Sequence, residues 1–514
     1  MSDTVSAPDP ATSADFHPGR LVMVDIPGRT LDAETAAFLR QHRIRAVCLF
    51  RKNLGSEAEV RQLLADLRAV LGPQALIGID QEGGSVVRAT FVPQAPAAMA
   101  LGAAGSDAAA CAQAEAVGAA VARALRHMGI NWNFAPVLDV NSNPANPVIG
   151  ERSFGADPDA VTRLAGAWLR SSLREGVACC VKHFPGHGDT HEDSHHALPT
   201  VNKSLDELVA LELRPFAALA SQAPAMMTAH IVYPQLDAER PATLSRTVLH
   251  GLLRQRLGYD GVVITDALMM QAVHARWGHA RAAVLALQAG ADMPLAQGSR
   301  DEQAATLQAI AEALGDGRLQ AAELHRSAAR LDALAAAYPV DPQPYPEAQR
   351  RADDALMHTA WARGLTALRD AHPPAPGARL RVLTQDSVVS DGVSEAGLPA
   401  SAVRGLFEGW ADVDWRTVPD LRAATAVDLG PADGRLTVLV SNHRQRYPAG
   451  CTLRPDLHLV LWNPFQVADI PAPALVTWGY AEGALAALAA WLRGRLDAHG
   501  VPPAELEAKT LETA

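Results

Sequence analysis

A (β/α)8 barrel followed by a smaller α/β sandwich domain is the fold class this sequence predicts. Three observations predict it. Eight short apolar runs alternate with helical segments over about 320 residues, the rhythm of repeated strand–helix units. Polar and ionisable residues (Asp80, Asp139, Lys182, His183, His230, Asp266 and Asp292) recur at the ends of these runs, where a barrel mounts its chemistry. After A-H-P-P-A-P-G at 371–377, a linker composition, a second set of strands begins.

Taken in order, residues 1–18 are rich in Ser, Pro, Asp and Ala and read as a disordered start. The first strand is 21–26 and the first helix 32–42, with Asp32 placed to cap it. A second strand at 45–50 precedes a helix at 56–70 that opens on the capping box S-E-A-E. The third strand, 75–79, runs into D-Q-E-G-G, and an Ala-rich helix occupies 107–127. Residues 131–140 form the fourth strand and its loop, and 157–175 a helix. The fifth strand, 176–181, is followed by a helix at 204–221. Strands at 225–230, 261–266 and 291–295, with a helix at 245–257, complete the barrel. The expected domains are a barrel over 19–340, a helical linker over 341–377 and the sandwich over 378–514. In the last, strands are expected at 380–383, 436–440, 457–462 and 474–478, and a helix at 483–498.

Composition narrows the function. A chain of 514 residues is too long for one ordinary core. Its net charge of -11, without a basic stripe, excludes a nucleic-acid surface, which needs clustered Lys and Arg. No apolar run approaches the ~20 residues of a membrane span. The start has neither a basic n-region nor an apolar h-region, so no secretory signal is expected. Five cysteines lack metal or redox spacing. The cytoplasm is the expected compartment.

The richest stretch is 181–200, V-K-H-F-P-G-H-G-D-T-H-E-D-S-H-H-A-L-P-T. Pro185, Gly186 and Gly188 exclude a helix there, since proline removes a donor and glycine makes the helical state costly. His183, His187, His191 and His195 recur every fourth residue, a metal-ligand spacing only on a helix, so no metal is expected. Lys182 follows an apolar strand and should aim into the barrel mouth. Asp193 and His195 form D-S-H, in which a carboxylate fixes the imidazole tautomer and favours its charged form. Asp266 ends an apolar strand, where a carboxylate can attack carbon. Each has a plainer reading: Asp266 as a helix cap, Lys182 and Arg152 as solvated charges, an isolated Asp-x-His as chance. Asp80, Arg88, Arg152, Lys182 and His183 converging on one mouth suit a polyhydroxylated ligand better than a phosphate, which lacks its Gly-rich cradle.

These residues resemble glycoside hydrolase family 3, in its β-N-acetylhexosaminidase branch. The resemblance rests on K-H-F-P-G-H-G-x-x-x-x-D-S-H (182–195), I-D-Q-E-G-G (79–84), N-F-A-P-V-L-D-V (133–140), E-R-S-F-G (151–155), M-T-A-H (227–230) and G-V-V-I-T-D (261–266). It spans roughly 20–340 and extends more loosely to the second domain through L-W-N-P-F (461–465). It implies Asp266 as nucleophile, His195 as general acid/base with Asp193 as its partner, and Asp80, Arg88, Arg152, Lys182 and His183 as the grip on a terminal N-acetylhexosamine. Other branches place a glutamate acid/base on the second domain, which the D-S-H loop makes unnecessary. Ser85 and Ala267 depart from the family spellings Q-E-G-G-R and S-D-D, a difference bearing on aglycone preference.

The implied reaction is retaining hydrolysis of terminal β-linked N-acetylglucosamine by double displacement, without metal or organic cofactor. The implied substrates are N-acetylglucosaminides, with muropeptide fragments suiting a cytoplasmic address. Phosphorolysis and β-glucosidase activity are alternatives within the family. A catalytically silent carbohydrate-binding protein is the alternative of another class.

Overall fold

The computed structural model describes residues 16–390 and 392–506. Eight parallel strands close a barrel: β1 Met23–Asp25, β2 Ala46–Leu49, β3 Leu76–Ile79, β4 Trp132–Asn133, β5 Ala178–Phe184, β6 Ala225–Thr228, β7 Val262–Ala267 and β8 Met293–Ala296. Closure is the pairing of β1 with β8, Met23 opposite Leu295. β1 to β6 and β8 are buried along their whole length, which is why they read as continuous apolar runs rather than alternating ones.

The register slips at two places, between Val181 and Phe184 on β5 and between Ile264 and Ala267 on β7. Such irregularities re-aim side chains. Here they fall on Lys182–His183 and on Asp266.

Local signals hold at the helix starts. Asp32 accepts from the Thr35 amide, and Ser56 with Glu59 forms the expected capping box. The helix expected over 204–221 is broken into Leu205–Ala210 and Leu213–Leu219. Pro215 explains the break, because its ring clashes with the carbonyl four residues back. Asp292 corrects a second expectation. It precedes β8 at the amino end of the barrel, where it is buried between Arg254, Arg330 and Ser327, far from a catalytic face. Most of the expected disordered start lies outside the described residues, but Phe16 is buried and meets His325 edge-on.

The second domain is a six-stranded sheet flanked by helices. Its strands are β9 Thr366–Leu368, β10 Leu380–Gln385, β11 Val413–Val418, β12 Leu436–Ser441, β13 Leu457–Val460 and β14 Ala474–Val476, in the order β11-β10-β12-β13-β14-β9. All pairings are parallel except β14 with β9. The stretch 341–377 is therefore more than a helical linker: after the helix Glu347–Gly364 it supplies an edge strand. The edge strand β11, V-D-W-R-T-V, is only partly buried and lacks the apolar run that marks its neighbours.

The two domains are packed together. Ala97, Met99, Ala100 and Ala103 of the barrel share one apolar cluster with Trp361, Phe465, Val476 and Trp478. Polar ties cross as well, from Trp462 Nε1 to Glu151 (2.9 Å) and from the Arg444 guanidinium to the Val148 carbonyl.

Candidate active site

A cavity of about 740 Å³ opens at the carboxyl ends of the barrel strands, with a loop of the second domain on one wall. Asp80, Arg88, Arg152, Lys182, His183, His195 and Asp266 all line it. Asp193 stands directly behind His195. The structure thus brings all eight expected residues to one place.

The deep wall is a ladder of alternating charges. Lys182 Nζ lies 2.7 Å from Asp80 Oδ1 and 2.6 Å from Glu82 Oε1. Arg152 grips Glu82 with two bonds, 2.9 Å from Nε and 2.8 Å from Nη2. Lys182, Glu82 and Arg152 are all nearly sealed from solvent. Burial alone would raise the Glu82 carboxyl, yet Arg152 and Lys182 outweigh it and hold it well below the ordinary range. Burial pushes the Lys182 ammonium down, and Asp80 and Glu82 return it above its usual value. These charges stay on because each has a partner at bonding distance.

His183 closes the ladder. Its Nδ1 is 2.7 Å from Asp139 Oδ2, so the N–H there donates to the carboxylate, and Nε2 lies 3.5 Å from Arg152 Nη2. Asp139 also accepts the backbone N–H groups of His183 and His187. One buried carboxylate therefore fixes both the strand end and the start of the loop.

That loop bears the second half of the site. His195 Nδ1 lies 2.9 Å from Asp193 Oδ1, which also accepts the His195 amide. Burial would raise the Asp193 carboxyl, but the bond to His195 and the imidazole's charge hold it far below the usual carboxylate range. With Nδ1–H donating to Asp193, Nε2 is left for proton transfer. His187, buried, hydrogen-bonds Thr190 (2.9 Å) and Ser194 (3.0 Å), tying the loop across itself. Burial depresses its pKa to about 4, so it stays neutral near pH 7. Asn146 adds bonds to the His187 carbonyl and Thr190.

Asp266 sits at the end of β7, partly buried. Burial raises its carboxyl, while His230, His183 and His195 and the Ala267 amide bring it below its ordinary value. His230 bridges Thr243 (2.8 Å) and the Ala267 carbonyl (3.0 Å), bracing the strand end. The amides of Gln271 and Ala272, beside the first turn of the helix Gln271–Trp277, donate to the carbonyls of His195 and Ser194. The loop with the His–Asp pair is thereby docked on the segment that follows Asp266.

Sequence reasoning passed over four contributors. Glu82 stood inside the I-D-Q-E-G-G motif, and its spacing from Asp80 was the available signal. Asp139 was noted at a strand end without a role. His187 stood in the every-fourth-residue histidine pattern without a role, and it ties the loop through Thr190 and Ser194. Glu395, from the second domain, had no local signal at all, because its bond to Arg88 spans 307 residues. Ser85 does not line the cavity. Its hydroxyl donates to Glu151 (2.7 Å) and lies 3.3 Å from that of Ser394, so this departure belongs to the domain contact. Ala267 does line the cavity beside Asp266. Among the described residues no cluster of His, Cys, Asp and Glu is arranged to hold a metal, and no helix is long and apolar enough to cross a membrane.

Comparison with known proteins agrees with this geometry. Residues 15–334 match the glycosyl hydrolase family 3 N-terminal domain. The chain is 39% identical over 291 residues to a beta-hexosaminidase of Pseudomonas aeruginosa (strain LESB58), covering 56% of this chain and 86% of that protein. A beta-hexosaminidase of Methylococcus capsulatus is 37% identical over 320 residues, 61% of this chain and 94% of the relative. Both relatives are thus little longer than the barrel domain. A solved glycoside hydrolase family 3 beta-N-acetylglucosaminidase from Paenibacillus sp. str. FPU-7 matches both domains, with a TM-score of 0.84, 33% identity and coverage of 98% of this chain and 99% of that one. A family match spanning the whole barrel, and hexosaminidase relatives aligned over most of their length, make this chain a glycoside hydrolase belonging to glycosyl hydrolase family 3.

Proposed function

We propose that the enzyme removes terminal, non-reducing β-linked N-acetylglucosamine with retention of configuration. The observation that supports this most directly is the docking of the Asp193–His195 pair on the segment leaving Asp266, which sets a carboxylate and an imidazole at one cavity. In the first step Asp266 attacks the anomeric carbon. His195 Nε2–H protonates the departing glycosidic oxygen as the carbon–oxygen bond breaks, giving a covalent glycosyl-enzyme. In the second, His195, now neutral, takes a proton from water, whose oxygen displaces Asp266 and releases the sugar. Asp193 keeps the tautomer fixed and stabilises the imidazolium that is present before the first step and re-forms in the second. Asp80, Arg88, Arg152, Lys182 and His183 hold the sugar. Asp80 and Arg88 are the more accessible of these, so they suit direct bonds to hydroxyl groups.

The natural aglycone we assign to cell-wall muropeptide fragments, met in the cytoplasm during wall recycling. The five cysteines are free thiols, three of them buried, which suits a reducing compartment. Aryl β-glycosides of N-acetylglucosamine, glucose and xylose, supplied at matched concentration, test the reading. The expected result is preferential release of free N-acetylglucosamine as the β-anomer, unaffected by phosphate or exhaustive chelation. An inverted product, sugar 1-phosphate as the product, or loss of activity on chelation would sink it.

A further inference from the structure

The strand order of the second domain reverses between β10 and β12, and loops leaving the carboxyl ends of such strands form a natural binding crevice. In this protein that crevice faces the barrel. The loop after β10 contributes Ser390, Gly392, Val393, Ser394 and Glu395 to the cavity wall. Asn442, just after β12, holds this loop by donating to the Gln385 and Leu398 carbonyls.

Glu395 is fixed at both its backbone and its side chain. Its amide donates to the Ser85 carbonyl (3.0 Å), and its carbonyl accepts from the Tyr480 hydroxyl (3.1 Å). Its carboxylate lies 3.1 Å from Arg88 Nη1 and 3.9 Å from Arg51 Nε. Arg88 in turn stands 3.7 Å from Asp80, beyond hydrogen-bonding distance, and its buried Nε has no hydrogen-bond partner among the described residues. Glu395, rather than Asp80, is therefore the firm partner of Arg88. A guanidinium between two carboxylates settles on the closer one, which leaves Arg88 Nη2 and Asp80 Oδ2 unbonded to each other and able to meet one hydroxyl from the cavity side.

We propose that Glu395 is a positioning residue for the sugar, acting through Arg88. It draws the guanidinium away from Asp80 and keeps both groups available to the same substrate hydroxyl. Without it Arg88 would bond Asp80 directly and use up the N–H and the carboxylate oxygen that the hydroxyl needs. The second domain thereby becomes part of the donor site. The proposal rests on the reading of this cavity as a terminal N-acetylhexosamine site.

The test compares wild type with Glu395→Gln, Glu395→Asp, Arg88→Gln and the double variant Arg88→Gln/Glu395→Gln. Steady-state kinetics use an aryl β-N-acetylglucosaminide, and calorimetry measures binding of free N-acetylglucosamine. Glu395→Gln should raise KM and the sugar's Kd by about 10- to 50-fold, the range of a lost charge-assisted bond, with kcat within about threefold. Glu395→Asp should recover part of the affinity, and the double variant should be no weaker than Arg88→Gln alone. Unchanged KM in a folded Glu395→Gln, additive losses in the double variant, or a fall in kcat at constant KM would overturn the assignment. If the wild type neither binds nor hydrolyses the sugar, the reading of the cavity fails and this proposal with it. An active wild type with an indifferent Glu395→Gln removes the Glu395 role alone.

Discussion

The deep ladder and the outer loop are built on opposite terms. In the ladder, Lys182, Glu82 and Arg152 are sealed from solvent and bonded at 2.6 to 2.9 Å. In the loop, the His195 side chain is 29% exposed and, among the described residues, has Asp193 as its one side-chain partner. The ladder sits on barrel strand ends and their immediate loops, and the His–Asp pair rides between residues 187 and 196, tied by short polar bonds. The difference matches the work proposed for each. A grip on sugar gains from rigidity, since ordering costs are met during folding rather than at binding. A proton shuttle must exchange with the leaving group and then with water, so it needs access to both.

The largest effect should come from the residue between the two regions. Asp266→Ala should lower kcat on an aryl β-N-acetylglucosaminide by on the order of 10⁴-fold, with the sugar's Kd little changed. Near-normal turnover would remove Asp266 from its role. His195→Ala should cost about 10²- to 10⁴-fold on a disaccharide but far less on a nitrophenyl glycoside, because an activated phenolate departs without a proton. Equal losses on both substrates would argue that the loop serves binding instead.

Glu82→Gln tests the ladder. It leaves Arg152 and Lys182 without one of their anions in a sealed environment, so about 3–5 kcal/mol of stability should be lost. KM should rise along with it, whereas Asp193→Asn should lower the urea midpoint less than Glu82→Gln does and act mainly on kcat. A Glu82→Gln protein as stable as wild type would show that the ladder is not the rigid half.

The smallest effect is one of pH. His187 is depressed by burial to about 4 from an ordinary value of 6.5, so the unfolded chain binds more protons than the folded one between those limits. Its contribution is fully present above pH ~6.5 and is lost as pH falls toward about 4. The buried His443, also near 4, adds to the same trend. Urea midpoints measured from pH 7 to pH 4 should fall, and His187→Gln should flatten part of that slope. A slope unaffected by the substitution would place His187 in contact with water.

Much of this was legible beforehand, because the signals were local. Buried strands are continuous apolar runs, capping boxes such as Ser56–Glu59 lie within one turn, and a barrel strand's end announces its loop by an abrupt change to polar residues. Lys182, His183 and Asp266 were found in that way. Where the strand was short and its flanks both polar, locality failed. Asp292 looked like a strand end and proved to be a strand beginning, since four residues of β8 do not reveal which flank faces the mouth.

The sequence by itself determined the barrel, the charged strand end and the Asp–His loop that follow one another on β5, and the carboxylate at the end of β7. Only the tertiary structure decided the register slips that aim Lys182, His183 and Asp266, and the entry of Glu395 from the second domain. The physical reason is range. Periodicity and capping act over a few residues, whereas a guanidinium's choice between Asp80 and Glu395 depends on how two separately folded sheets come to rest against each other.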